Sequence, residues 1–97
     1  MDYKLRWSVE AVKNLEEILD NIKSRWTNKE VLKFKNKLGH QLDLIVQNPF
    51  MFPISSIKES LRKAVLSKQT TVFYQVKDNI IFITYLHINK KDTNKFR

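Results

Sequence analysis

The spacing of apolar residues at the start of the chain predicts a short strand followed by an amphipathic helix. Apolar and basic residues alternate over residues 3–7, which is the period of a strand. Ser8 is a suitable helix N-cap, and apolar residues then recur at spacings of three and four. We therefore predict a helix over residues 9–26. Its apolar stripe consists of Val12, Leu15, Leu19, Ile22 and Trp26, widened by Ile18.

A second helix is predicted directly after the first. Thr27 and Glu30 have the spacing of a capping box, in which each side chain bonds a free backbone N–H at the helix start. The helix therefore starts at about residue 28, and Asn48-Pro49 ends it. Its stripe consists of Val31, Phe34, Leu38, Leu42 and Ile45. Because the connection is so short, the two helices must pack as an antiparallel hairpin.

Two features of this region need an explanation. Gly39 lies in the middle of the second helix, where glycine costs about 1 kcal/mol relative to alanine. A close approach of the two helices would explain it. The apolar segment 49–53 either roofs the core or forms an exposed docking patch.

The second half of the chain predicts three consecutive strands. They cover residues 61–66, 70–77 and 80–86, and Asp78-Asn79 forms a two-residue hairpin turn. The nearly continuous apolar run over residues 80–83 is typical of a central strand. The predicted fold class is α+β in the order β-α-α-β-β-β: an N-terminal strand, an antiparallel two-helix hairpin and a three-stranded antiparallel sheet. The helices cover one sheet face, and the other is the natural working surface.

The length and charge indicate a single basic domain spanning residues 1–97. The formal net charge is +8 over 97 residues. Residues 1–48 hold nine Lys/Arg against seven Asp/Glu, whereas residues 49–97 hold nine against three. This asymmetry favours an anionic partner for the second half, either nucleic acid or an acidic protein segment.

Composition argues against several classes of protein and site. The absence of Cys in so small a domain favours a reducing, cytoplasmic location, and no apolar run has the length of a membrane span. With no Cys, two His and one Gly, neither a structural metal site nor a glycine-rich phosphate loop is expected. We expect no cofactor.

The remaining chemistry is basic and aromatic. The candidate binding residues are Arg62, Lys63, Lys68, Lys90 and Lys91. If the chain is a metal-independent nuclease, Arg62, His87 and Lys91 are the candidate catalytic residues, because RNA cleavage needs a base, an acid and a cation. A guanidinium on a short strand, as at Arg62, requires an anionic partner or an open face. Tyr74 and Tyr85 are either core residues or platforms for stacked bases.

Five stretches of the chain together resemble the RelE/ParE superfamily of toxins from bacterial type II toxin–antitoxin systems. These stretches are residues 3–11, 48–49, 61–68, 72–80 and 87–92. The resemblance covers nearly the whole chain and implies two helices on a small antiparallel sheet. It also implies a growth-inhibiting toxin, of the plasmid stabilisation kind, that is neutralised by an acidic, partly disordered antitoxin.

The resemblance leaves two targets open. RelE-like members cleave messenger RNA on the ribosome, and ParE-like members poison DNA gyrase. Arg62 and Lys91 match cationic positions of the nucleases, but Ala64 and Thr71 stand where two further cations are expected. His87 before a basic pair is more ParE-like, so gyrase is the favoured target. An inactive basic binding module, a homodimer and a toxin–antitoxin hetero-oligomer also stay open.

Overall fold

The computed structural model describes residues 2–88, which form four strands and two helices. The predicted elements are all present, and most of their bounds lie within one or two residues of those expected. The elements are β1 (Lys4–Trp7), α1 (Val9–Arg25), α2 (Asn28–Gln47), β2 (Arg62–Val65), β3 (Thr70–Lys77) and β4 (Ile80–Ile88). The α+β class and the β-α-α-β-β-β order are therefore confirmed.

The sheet differs in one respect from the predicted three-stranded antiparallel sheet. It has four strands in the order β1-β4-β3-β2, and β1 lies parallel to β4. The pairs β3–β4 and β2–β3 are antiparallel, as predicted. Because β1 occupies the second flank of β4, the apolar strand β4 is central, as its sequence indicated.

The helices cover one face of the sheet and form a single core with it. Ala11 and Ile18 of α1 and Leu38 and Ile45 of α2 pack with apolar residues of β2, β3 and β4. The predicted stripe of α2 is confirmed in large part. The buried stripe of α1 is rotated about the helix axis relative to the predicted stripe. Ala11 is fully buried, whereas Val12 and Trp26 are 41% and 38% exposed. A pattern that weights large apolar residues misses a small alanine at the contact.

Two local predictions for α2 are wrong. Thr27 is the N-cap residue, but its side chain makes no capping hydrogen bond, so the capping box is not formed. A Cβ atom at Gly39 would have no heavy atom within 4 Å, so close helix packing does not explain this glycine. The hairpin turn is confirmed, since Lys77 pairs with Ile80 and Asp78 adopts a left-handed φ of 56°.

Ser8 joins the start of α1 to the central strand, since one of its hydrogen bonds caps the helix and two reach β4. Its hydroxyl oxygen accepts from Ala11 N at 2.9 Å, which confirms the predicted N-cap, and it donates to Thr84 O at 2.6 Å. Its backbone N–H donates to Ile83 O at 3.0 Å. Further along β4, Leu86 N donates to Asn14 Oδ1 at 3.0 Å. Ser8 and Asn14 thus bond the flank of β4 beyond the end of β1.

Neither helix in the described part of the chain is long and apolar enough to cross a membrane.

Replacing Ser8 with alanine should destabilise the fold by about 2 kcal/mol, because one N-cap bond and one bond to a strand carbonyl are lost together. Urea unfolding followed by circular dichroism measures the free energy of unfolding. Ser24→Ala is the matched control, since the Ser24 hydroxyl bonds only Asn21 O of its own helix and is exposed. An equal loss of unfolding free energy in the two variants would contradict the role assigned to Ser8.

Candidate interaction site

The sheet face opposite the helices carries a basic and aromatic surface, which we call the open face. Side chains alternate between the two faces along each strand, and the register assigns each position to a face. The open-face residues are Lys4, Arg6, Lys63, Val65, Thr71, Phe73, Gln75, Lys77, Ile80, Phe82, Tyr85 and His87. They include four Lys/Arg residues and no Asp or Glu. This face is therefore suited to an anionic partner.

An irregularity in β4 brings the last aromatic residues of the strand to the open face. Tyr74 pairs with Ile83 and Phe73 pairs with Tyr85, so Thr84 is an extra residue in β4. Without this bulge, Tyr85 would follow Ile83 onto the core face. The carbonyl of Thr84 is the one that accepts the Ser8 hydroxyl. The helix cap and the composition of the open face are therefore linked.

Three rings form a cluster on the open face. Phe73 and Tyr85 stack with their centroids 4.6 Å apart and their planes 15° apart. The exposed imidazole of His87 meets the edge of the Phe73 ring at 6.4 Å and 78°. Lys63 pairs with Phe73 across β2 and β3. A cation, an imidazole and stacked rings thus lie on the same face.

Arg62 is on the other face, at the edge strand β2. It pairs with Tyr74, which is fully buried on the core side. The guanidinium donates to Phe52 O at 2.7 Å and to Phe50 O at 3.4 Å, and it lies 5.1 Å from the centre of the Phe50 ring. Carbonyl dipoles and an aromatic face therefore surround its charge on the core side, and not the open face that was one of the two expectations; the anionic partner stays a prediction.

The buried Tyr74 fixes the segment that follows α2. Its hydroxyl donates to Pro49 O at 2.6 Å, and Phe52 packs edge-on against its ring at 6.2 Å. Burial raises the pKa of Tyr74 to about 12, although the nearby charge of Arg62 acts to lower it. Tyr74 is thus a core residue, whereas Tyr85 lies on the open face.

The sequence model of one family, the ParE toxin of type II toxin–antitoxin systems (parDE), matches residues 5–92. The chain belongs to this family. No curated protein sequence matches it.

Several solved structures share the fold. A chain of the chromosomal ParDE system of P. aeruginosa is 19% identical, with a TM-score of 0.77, over 89% of this chain and 95% of that chain. The E. coli DinJ–YafQ complex has 13% identity and a TM-score of 0.64, over 94% of this chain and 97% of that chain. For the YoeB dimer of Staphylococcus aureus, the identity is 18% and the TM-score 0.65, over 92% of this chain and 99% of that one.

The structure brings some of the sequence-predicted site residues together and separates others. Lys63 and His87 share the open face, whereas Arg62 lies on the core side, and Lys68 lies in the turn between β2 and β3. Lys90 and Lys91 lie outside the described residues. The roles of all these side chains stay predictions. Sequence analysis missed the open-face position of Phe73, because strand alternation becomes informative only once the register is known.

Two further features of the described part of the chain bear on its chemistry. Over residues 2–88, no three His, Cys, Asp or Glu side chains lie close enough to hold a metal ion. A groove of about 230 Å³ lies between the helix hairpin and the turn that joins β2 to β3. It is lined by Ile22, Trp26, Glu30, Lys33, Phe34, Lys37, Leu66, Ser67 and Gln69. Its floor is apolar, and lysines outnumber carboxylates on its walls.

The raised pKa of Tyr74 makes a prediction for alkaline solution. Because the folded state holds the phenol proton more tightly than the unfolded chain, its contribution to stability is present below pH 10 and is lost as the pH rises towards 12. Titration of tyrosinate absorbance should show a step near pH 12 that Tyr74→Phe lacks. A variant that keeps this step would contradict the assignment.

Proposed function

We propose that the chain is a growth-inhibiting toxin that poisons DNA gyrase by binding it, and that a cognate acidic antitoxin neutralises it in the cytoplasm. Membership of the ParE toxin family supports the toxin role. The proposal that the target is gyrase, and not messenger RNA, depends on the arrangement of the cations in the structure.

The position of Arg62 is the observation that carries this choice. Metal-free RNA cleavage needs a base, an acid and a cation that converge on one phosphate. Arg62 and His87 lie on opposite faces of the sheet, and the Arg62 guanidinium is bonded to the carbonyls of Phe50 and Phe52. This arrangement supports a binding protein over a nuclease.

An acidic antitoxin segment fits the groove beside the helix hairpin. Ile22, Phe34 and Leu66 supply apolar surface, and Lys33 and Lys37 supply positive charge on the wall. A segment that alternates apolar and acidic residues would bury its apolar side chains in the groove and pair its carboxylates with the two lysines. Such segments commonly fold on binding, which suits a partner that is partly disordered when free.

One observation favours a second candidate function, that of a RelE-like, metal-independent endoribonuclease acting on messenger RNA at the ribosome. Lys63, His87 and the half-buried Tyr85 share the open face, where Tyr85 stacks on the buried ring of Phe73. Cations that hold phosphates beside rings that stack bases are typical of surfaces that bind single-stranded RNA. The two candidates differ in which nucleic acid is damaged.

Controlled expression in a bacterium that lacks the antitoxin should arrest growth, induce the DNA-damage response and leave messenger RNA intact. The physical reason is that a bound poison traps gyrase on cleaved DNA without touching RNA. Growth, DNA breaks and the lengths of two abundant transcripts are measured in the same culture, with an uninduced culture as the control. Rapid transcript cleavage would establish the nuclease, and the absence of arrest would contradict the toxin role.

Replacing His87 with glutamine separates the two candidates at one side chain. A gyrase poison should keep its potency within about twofold, whereas loss of a general acid or base slows a nuclease by about 10²-fold or more. The dose of toxin that halves growth measures the difference. The exposed Gln75→Ala change on the same face serves as the control for general surface effects. A large loss in His87→Gln alone would contradict gyrase poisoning.

A further inference from the structure

The segment between α2 and β2 presents four large apolar side chains to solvent. Phe50, Met51, Ile54 and Ile57 are 58%, 54%, 53% and 87% exposed. We call these four residues the apolar loop. Single exposed apolar residues are common on proteins, but four within eight positions form a patch of the kind that marks an interaction site.

The backbone behind the apolar loop is held in place by strand-like pairing. Ile54 forms an antiparallel bridge with Arg62, Ser55 N donates to Leu61 O at 2.7 Å, and Lys63 N donates to Pro53 O at 3.0 Å. The buried hydroxyl of Ser55 accepts hydrogen bonds from Ile57 N and Lys58 N. Ile54 and Ile57 therefore project from an ordered framework.

Core groups anchor the first part of the same segment. Tyr74 bonds the carbonyl of Pro49, and the Arg62 guanidinium bonds those of Phe50 and Phe52. Phe52 packs against the Tyr74 ring. A loop so constrained loses little conformational entropy on binding, so the burial of its apolar side chains yields affinity with a small ordering cost.

We infer that the apolar loop is the surface by which this chain engages its target protein, inserting into a preformed apolar pocket bordered by carboxylates. The four side chains are exposed on a backbone that is bonded to the core, so the loop suits a concave site on a folded protein better than a segment that folds on binding. In the loop segment and the part of β2 that pairs with it, Lys58, Arg62 and Lys63 outnumber Glu59, which favours an acidic rim. The inference rests on the proposed function, in which the target is gyrase.

The test compares the full-length wild-type chain with Ile57→Asp in a supercoiling assay with purified gyrase. A charge at this position would have to be buried in the apolar pocket, so the concentration for half inhibition should rise about tenfold or more. Ile57→Leu keeps the apolar contact and should stay within about twofold. Thermal unfolding by circular dichroism establishes that the variants are folded.

Val9→Asp is the matched control, because Val9 is 81% exposed but lies at the start of α1. An aspartate there interacts favourably with the helix N-terminus, so the variant should stay folded. The Val9→Asp chain should therefore inhibit gyrase as strongly as the wild type. Equal potency of Ile57→Asp and the wild type would overturn the inference and leave gyrase poisoning intact.

Two other outcomes assign the loop or the function differently. If Ile57→Asp inhibits gyrase normally but escapes neutralisation by the cognate antitoxin, the apolar loop is an antitoxin surface and the inference is wrong. If the wild-type chain itself leaves purified gyrase uninhibited, the proposed function fails, and the inference that rests on it fails with it.

Discussion

The hydrogen bond from the Ser8 hydroxyl to the carbonyl of Thr84 connects the start of α1 to the bulge that determines which residues of β4 reach the open face. β1 ends opposite Ile83, and the chain turns at once into α1, so within residues 2–88 no strand lies beside the flank of β4 beyond that point. Ser8 bonds this flank at the bulge residue, and Asn14 bonds it two residues later. A strand flank left without partners at this position would cost stability.

The same bulge decides what the open face carries. By placing one extra residue in β4, it keeps Ile83 and Leu86 in the core and puts Tyr85 and His87 on the opposite face. The open face thereby gains an aromatic cluster beside its lysines. Arg62 stays on the core side, where it fixes the apolar loop. One surface is thus basic and aromatic, while a neighbouring loop is apolar and ordered.

Local patterns in the sequence were sufficient for the elements and the fold class. Apolar spacing of three and four predicted both helices, alternation predicted the strands, and a hydroxyl before the first stripe predicted the Ser8 cap. Such patterns do not predict which distant segments pair with each other. The parallel β1–β4 pair joins residues that are 76 positions apart, and neither strand alone indicates its partner. Arg62 was identified as unusual, but its carbonyl acceptors lie in a loop whose path no periodicity predicts.

The central claim is that the chain acts by binding a protein and not by turning over RNA, so stoichiometry tests it most directly. Purified chain is titrated against a fixed concentration of gyrase and, separately, against ribosomes translating a defined messenger RNA. Gyrase inhibition should be complete near an equimolar ratio, and the messenger RNA should stay intact at the same concentrations. Cleavage of many messenger RNA molecules per molecule of chain, with gyrase unaffected, would contradict it.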